Sequence, residues 1–205
     1  MDQTVSASAA RTLRERQKEA VRRDLRVAAL GLFRELGFAA TTVDDIARHA
    51  GVSRSTFFRY FGSKTAVVVD VTDESMTVFI RCLAERPPTE KPMEALENAL
   101  IGMTEAMRTD ERRDELLLIR EVASTEPAVA ADIETRSVHR HTEVAQCLAE
   151  REGRTEPTLE DALASAILVP ITEHIGESWA AGGDAEGVAE LIRSHFQTVR
   201  RLTAG

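Results

Sequence analysis

Three glycines, Gly37, Gly51 and Gly62, cut the first third of the chain into one long helix-forming stretch and two very short ones. Upstream of Gly37, residues Leu25, Ala28, Ala29, Leu32, Phe33 and Leu36 recur at the spacing that lines one face of a helix. Gly37 closes that helix, because glycine enters the left-handed backbone region at little cost. Thr42 opens a second: its hydroxyl can cap the helix while Asp45, three residues on, answers back. This short helix carries Val43, Ile46, Ala47 and Ala50 and ends at Gly51. A third starts at Ser53 and runs to about Tyr60. Gly62 breaks it, and Ser63 caps a longer fourth helix to about Glu85.

Beyond Pro87–Pro88 the pattern stays helical. Stretches at about 91–108, 111–124, 128–152, 158–181 and 185–203 are separated by Pro127, Gly153 with Pro157, and Gly182–Gly183. The last is the most periodic, with Val188, Leu191, Ile192, His195, Phe196, Val199 and Leu202 on one face. Pro170 should kink the 158–181 helix by removing one backbone hydrogen bond. No segment alternates at period two for long. The expected class is all-α: a polar tail over residues 1–10, a three-helix unit over 11–62 and a helical bundle over 63–205.

At 43% apolar and 29% charged residues, the 205-residue chain can bury a sizeable core. Its charge is uneven. Residues 1–64 carry 12 Lys/Arg against 7 Asp/Glu, whereas the remainder is strongly acidic and brings the whole chain to −8. Such asymmetry suits a polyanion-binding end, and equally a solvated basic helix. Cys82 and Cys147 stand far apart with no CxxC, which argues for a reducing compartment and against a disulfide framework. The opening residues carry no signal-like segment, and the most apolar run, ALASAILVPI at 162–171, is about half of the roughly 20 residues a membrane span needs. A cytoplasmic protein without membrane partners is expected.

The stretch ARHAGVSRSTFFRYFGSK, residues 47–64, concentrates aromatics beside cations and hydroxyls. Ala47 is small enough for the second helix to cross close to the third, Gly51 takes the left-handed turn, and Val52 and Phe57 anchor the pair. The result is a helix-turn-helix whose last helix, at ~1.5 Å per residue, is about 10 Å long and fits a major groove roughly 12 Å wide. Arg54, Ser55 and Thr56 begin that helix, where base edges of double-stranded DNA are read. Arg54 can pair with a guanine, and Thr56 can bond a base or touch a thymine methyl. Thr42, Tyr60 and Lys64 flank it as phosphate contacts, and the start of the fourth helix adds backbone N–H groups. Phe57 and Phe61 pack the core. Arg11, Arg14, Arg16, Lys18, Arg22 and Arg23 either reach the DNA backbone or decorate a solvated helix.

On these residues, AALGLFRELGFAATTVDDIARHAGVSRSTFFRYFGSKTAVV (28–68) resembles the DNA-binding domain of the tetracycline-repressor (TetR) family. The resemblance implies an all-α homodimer, with three N-terminal helices on DNA and a larger bundle that dimerises and binds a small molecule. It places Arg54, Ser55 and Thr56 on bases, with Thr42, Tyr60 and Lys64 on phosphates. Phe58 stands where many members carry tyrosine, so its phosphate-side contact is reduced to packing against the backbone.

A reader of palindromic DNA needs a two-fold partner. The 158–181 helix, with small Ala162, Ala166 and Gly176, and the 185–203 helix suit a four-helix interface. Only Phe79, Trp179 and Phe196 supply aromatics to the bundle. A cavity there should therefore be aliphatic, lined by Met103, Met107, Leu117, Ile119, Arg120 and Trp179, and should take a hydrophobic effector. ERRDELLLIREVASTEPAVAADIETR (111–136) resembles the regulatory domain of mycofactocin-system regulators, which implies a long-chain acyl-CoA and makes Arg112, Arg113 and Arg120 candidates for its phosphate end. His139 and His141 are two apart, on nearly opposite helix faces, and His174 with Glu177 lacks further ligands nearby. No catalytic motif appears, and neither metal nor cofactor is expected. The sequence thus reads as a non-enzymatic transcriptional regulator, a repressor released by an effector through the fourth helix. An activator or effector-independent DNA-binding protein is the alternative.

Overall fold

The computed structural model describes the backbone of residues 2–106 and 110–203 and the side chains of residues 14–106 and 112–203. Among these residues there is no strand. Ten helices follow in order: α1 (Asp2–Leu36), α2 (Val43–His49), α3 (Arg54–Tyr60), α4 (Lys64–Ala84), α5 (Pro92–Ala106), α6 (Asp110–Thr125), α7 (Pro127–Arg151), α8 (Leu159–Ala166), α9 (Leu168–Ala180) and α10 (Ala185–Thr203). They divide into two units, Met1–Val68 and Val69–Gly205, a division that falls inside α4. Helix α1 begins at Asp2, where the sequence pattern suggests a tail to residue 10. That stretch has no Gly or Pro to interrupt it, and Ala7, Ala9 and Ala10 favour helix.

In the first unit, Leu25, Ala28, Ala29, Leu32 and Phe33 of α1 are buried together with Ile46, Ala47, Phe57 and Phe61. Leu36 departs from this stripe and is 54% exposed. The chain turns at Gly37 (φ 84°) just beyond it, and Phe38 folds back so that its ring lies 5.0 Å from that of Phe33. Buried Thr41 secures the turn by donating to the Gly37 carbonyl at 2.8 Å.

In the second unit, α10 packs on α5 and α9, α7 on α6 and α8, and α6 also on α9. Phe79, Leu96, Leu100, Leu148, Ile171 and Phe196 belong to its core. The helix expected over 158–181 is two helices. Pro170 has no N–H to offer the Ala166 carbonyl four residues back, and its ring crowds that carbonyl. The chain accordingly turns at Ile167, between α8 and α9.

Helix α8 is fastened at its start. Thr158 and Asp161 form a reciprocal cap, and the Arg154 guanidinium donates to both Asp161 oxygens, at 2.7 and 3.0 Å. Arg154, followed by the Thr158 cap, holds the Asp161 carboxyl down to about 2 from an ordinary 3.8. A carboxyl whose folded-state pKa is lowered stabilises the fold fully above its unfolded value and loses that contribution as pH falls through the folded one. Between about pH 4 and pH 2, the wild-type melting temperature should therefore fall more steeply than that of Asp161→Asn, which thermal melts across that window will check.

Candidate nucleic-acid interface and ligand cavity

The reading head is built by local hydrogen bonds. Gly51 takes φ 67°, and the Val52 N–H returns to the Ala47 carbonyl at 2.9 Å, which fixes the turn between α2 and α3. Ser53 caps α3 by accepting from the Thr56 N–H at 3.1 Å. Its hydroxyl also lies 2.9 Å from those of Ser55 and Thr56, so the three hydroxyls form one cluster at the start of the helix. Beneath them, Phe57 is fully buried.

Arg54 projects from this end with its side chain 60% exposed. In the unbound chain it pairs with Asp44 at 2.7 Å and lies over the Phe58 ring at 5.4 Å. A guanidinium that pairs with a base would have to leave Asp44, and the freed carboxylate would then repel a nearby polyanion. Asp44→Asn is accordingly expected to tighten DNA binding severalfold, with the largest gain at low salt; salt-titrated binding curves measure this, and weaker binding would contradict it.

The expected phosphate contacts divide. Thr42 is exposed but serves the α2 cap, donating to Asp45 Oδ2 at 2.5 Å. Tyr60 is half-buried with the Arg59 guanidinium 5.4 Å from its ring centre. Phe58 is 45% exposed and packs edge-on against Phe57. Lys64 turns inward: its ammonium donates to the carbonyls of Phe38, Thr41 and Ala39 at 2.5, 3.0 and 3.3 Å. The carbonyls after α1 have no helical partner and draw this cation, so here Lys64 closes the α1–α2 turn instead of presenting charge to a phosphate. Arg48, not singled out from sequence, is more exposed; it pairs with Asp45 at 2.7 Å. Arg22 of the basic stretch lies over the Phe61 ring at 5.2 Å, whereas the Arg11 side chain lies outside the described residues.

The second unit contains a cavity of about 440 Å³ lined from α4, α5, α6, α7 and α9. Met103, Leu117, Ile119, Arg120 and Trp179 all line it; Met107 lies outside the described residues. Met76, Phe79, Leu100 and Val144 extend the apolar wall, while Thr72, Ser137, Arg140 and His141 supply polar groups. The size matches small-molecule pockets of about 300–1,000 Å³.

Of the three arginines suggested for a phosphate end, Arg112 is held by Glu74 and Glu115 at 2.6 and 2.7 Å. Arg113 donates to the Trp179 carbonyl at 3.2 Å. Arg120 alone among them reaches the cavity, bonded to the Glu173 carbonyl and the Glu177 carboxylate, both at 3.3 Å. It lies over Gly176, where a Cβ would come within 2.9 Å of Nη1. Nη1 ends a flexible side chain that a Cβ at position 176 could displace, so this contact does not itself require glycine.

His174 has a neighbour that sequence spacing does not reveal. His195 of α10 places its Nε2 2.9 Å from His174 Nδ1. Since His195 Nδ1 faces the Leu191 carbonyl at 2.7 Å and donates to it, His174 is the donor between neutral rings. Among the described residues no three His, Cys, Asp or Glu side chains gather as a metal site. No helix among them is long and apolar enough to cross a membrane.

Residues 25–71 match the model of bacterial regulatory proteins of the tetR family, and residues 90–204 match the MftR C-terminal domain. The chain is 28% identical over 199 residues to the HTH-type transcriptional regulator TcmR of Streptomyces glaucescens, covering 92% of this chain and 86% of TcmR. It is 40% identical over 73 residues to the HTH-type transcriptional repressor Rv3405c of Mycobacterium tuberculosis, 36% of this chain and 37% of that one. Among solved structures, Salmonella enterica GusR shares the fold at TM-score 0.59 and 20% identity, covering 89% of this chain and 95% of GusR. With the helix-turn-helix and an all-helical second unit in place, the chain belongs to the tetR family of bacterial regulatory proteins, DNA-binding transcriptional regulators, and its C-terminal part is of the MftR type.

Proposed function

We propose that the protein is a repressor which binds a palindromic operator as a homodimer and leaves it when a small aliphatic effector fills the cavity of the second unit. The observation that carries this reading is the cavity itself: about 440 Å³ of largely apolar space in a chain whose other unit presents an exposed reading head. Arg54, Ser55 and Thr56 read bases; Arg48, Thr42 and Tyr60 hold phosphates. Helix α4 links the two functions, since Thr72, Ser75, Met76 and Phe79 line the cavity while its first residue, Lys64, secures the turn before α2. A displacement of α4 by ligand would change how two reading heads meet two half-sites together.

Pairing through α8 to α10 is supported by apolar side chains left on this surface. Leu163, Val169 and Leu202 are 60%, 39% and 78% exposed, and Ala162 and Ala166 are exposed beside them. Long-chain acyl-CoAs belong to the effector class that an aliphatic cavity admits. The test is a band-shift assay on genomic fragments retained by the protein, with aliphatic amphiphiles and acyl-CoAs added. Release of the fragment is expected; a complex that no such molecule disturbs would sink the effector-released reading and leave an effector-independent DNA-binding protein.

A further inference from the structure

The cavity is largely apolar; of its charged lining residues, Glu173 and Arg120 stand on α9 and α6, with Arg120 engaged by Glu177, while Arg140 of α7 enters with its side chain 13% exposed. Its Nη2 donates to the Thr72 hydroxyl at 3.1 Å. Its Nε is buried and makes no hydrogen bond among the described residues; Asp73 Oδ1 lies 3.6 Å away, beyond hydrogen-bond reach. Asp73 is closer to a second cation, Arg136, whose Nη2 stands 2.9 Å from the other carboxylate oxygen. Two guanidinium groups therefore share one carboxylate. Glu74 is engaged by Arg112 at 2.6 Å. His141 Nδ1 donates to the Ser165 carbonyl at 3.1 Å, which leaves Nε2 to the Ser137 hydroxyl at 3.3 Å. Burial pushes the Arg140 pKa below that of an ordinary arginine; Asp73 and Glu143 oppose this and Arg136 adds to it.

A desolvated guanidinium with an unfilled N–H is costly. An oxyanion supplies what it lacks, because two oxygens can meet the planar fork side by side. We propose that Arg140 is the anion receptor of this cavity, and that the effector is an aliphatic chain ending in an oxyanion, a carboxylate or a phosphate. The head takes Arg140 while the chain lies against Met76, Phe79, Leu117 and Val144. This rests on the cavity being the effector site and goes further by fixing the chemistry of the ligand's polar end. It also supplies a trigger: Thr72 and Asp73 belong to α4, so an anion at Arg140 competes for the group that ties α4 to α7.

Trp179, the single tryptophan of the chain, lines the cavity, so its fluorescence reads occupancy in the full-length protein. Titrations with dodecanoate, dodecanoyl-CoA and dodecan-1-ol are expected to show at least one of the two anions binding roughly tenfold or more tighter than the alcohol, as for hydrogen bonds to charged groups. Arg140→Gln should erase that advantage and leave the alcohol unchanged. Arg140→Lys, which keeps the charge without the fork, should recover part of it and serves if the Gln variant does not fold. The anion whose advantage disappears identifies the head as carboxylate or phosphate. Equal binding of all three by the wild type, or an anion advantage that survives in both variants, would overturn the role of Arg140 alone. Silence from all three would overturn this inference and the aliphatic effector site together.

Discussion

A chain carrying Arg54→Ala together with Thr56→Ala is expected to fold normally and to lose specific operator binding, at about 1–3 kcal/mol for each base contact removed. In the proposed dimer, two such contacts per subunit, used twice, would take a nanomolar complex out of the range of a band-shift assay. Folding should survive. The Arg54–Asp44 pair is more than half exposed on both sides, and such pairs stabilise by about 0–1 kcal/mol. Ser53 still caps α3 after Thr56→Ala, because the bond it accepts comes from the backbone N–H of residue 56. Band shifts on one fragment, paired with thermal melts, separate the two effects. Operator affinity retained in a folded double variant would mean that Arg54 and Thr56 do not read bases and that specificity comes from other residues.

Phe57→Ala is expected to fail differently. Phe57 is fully buried, with its ring 5.6 and 5.8 Å from those of Phe58 and Phe61. Truncating a buried phenylalanine costs about 3–5 kcal/mol. That is comparable to the whole stability of a unit as small as Met1–Val68. The variant should lose a cooperative transition and all DNA binding, including the salt-sensitive nonspecific kind, while the Trp179 response to a cavity ligand persists. A Phe57→Ala chain with full operator affinity would contradict the scaffold role assigned to this ring.

These two variants bracket what the amino-acid pattern could reveal. Thr42, Ser53, Gly37 and Gly51 announce their structures because caps and left-handed turns are set by residues next to each other, and each occurs where the pattern places it. The cavity wall was legible too: Met103, Leu117, Ile119, Arg120 and Trp179 all line it, since in a bundle with few aromatics the aliphatic stripes have little else to enclose. Arg140 was not legible. It sits in the polar run RSVHRHTEV, and only the apposition of α7 with Thr72 and Asp73 of α4 gives it meaning. Lys64 shows the converse. Its type and position suggest a phosphate contact, yet three carbonyls brought together by the α1–α2 turn claim its ammonium. Pro170 lies between these cases: a disturbance was expected there, but the chain breaks at the carbonyl one turn earlier.

The most direct test of the whole account is a footprint of the protein on a genomic fragment that it retains. Two protected half-sites related by a two-fold axis are expected, with centres about 34–36 Å or a multiple of that apart, and two protomers at least on each fragment. A monomer that retains no genomic fragment at low salt, or that protects DNA without two-fold symmetry, would contradict it.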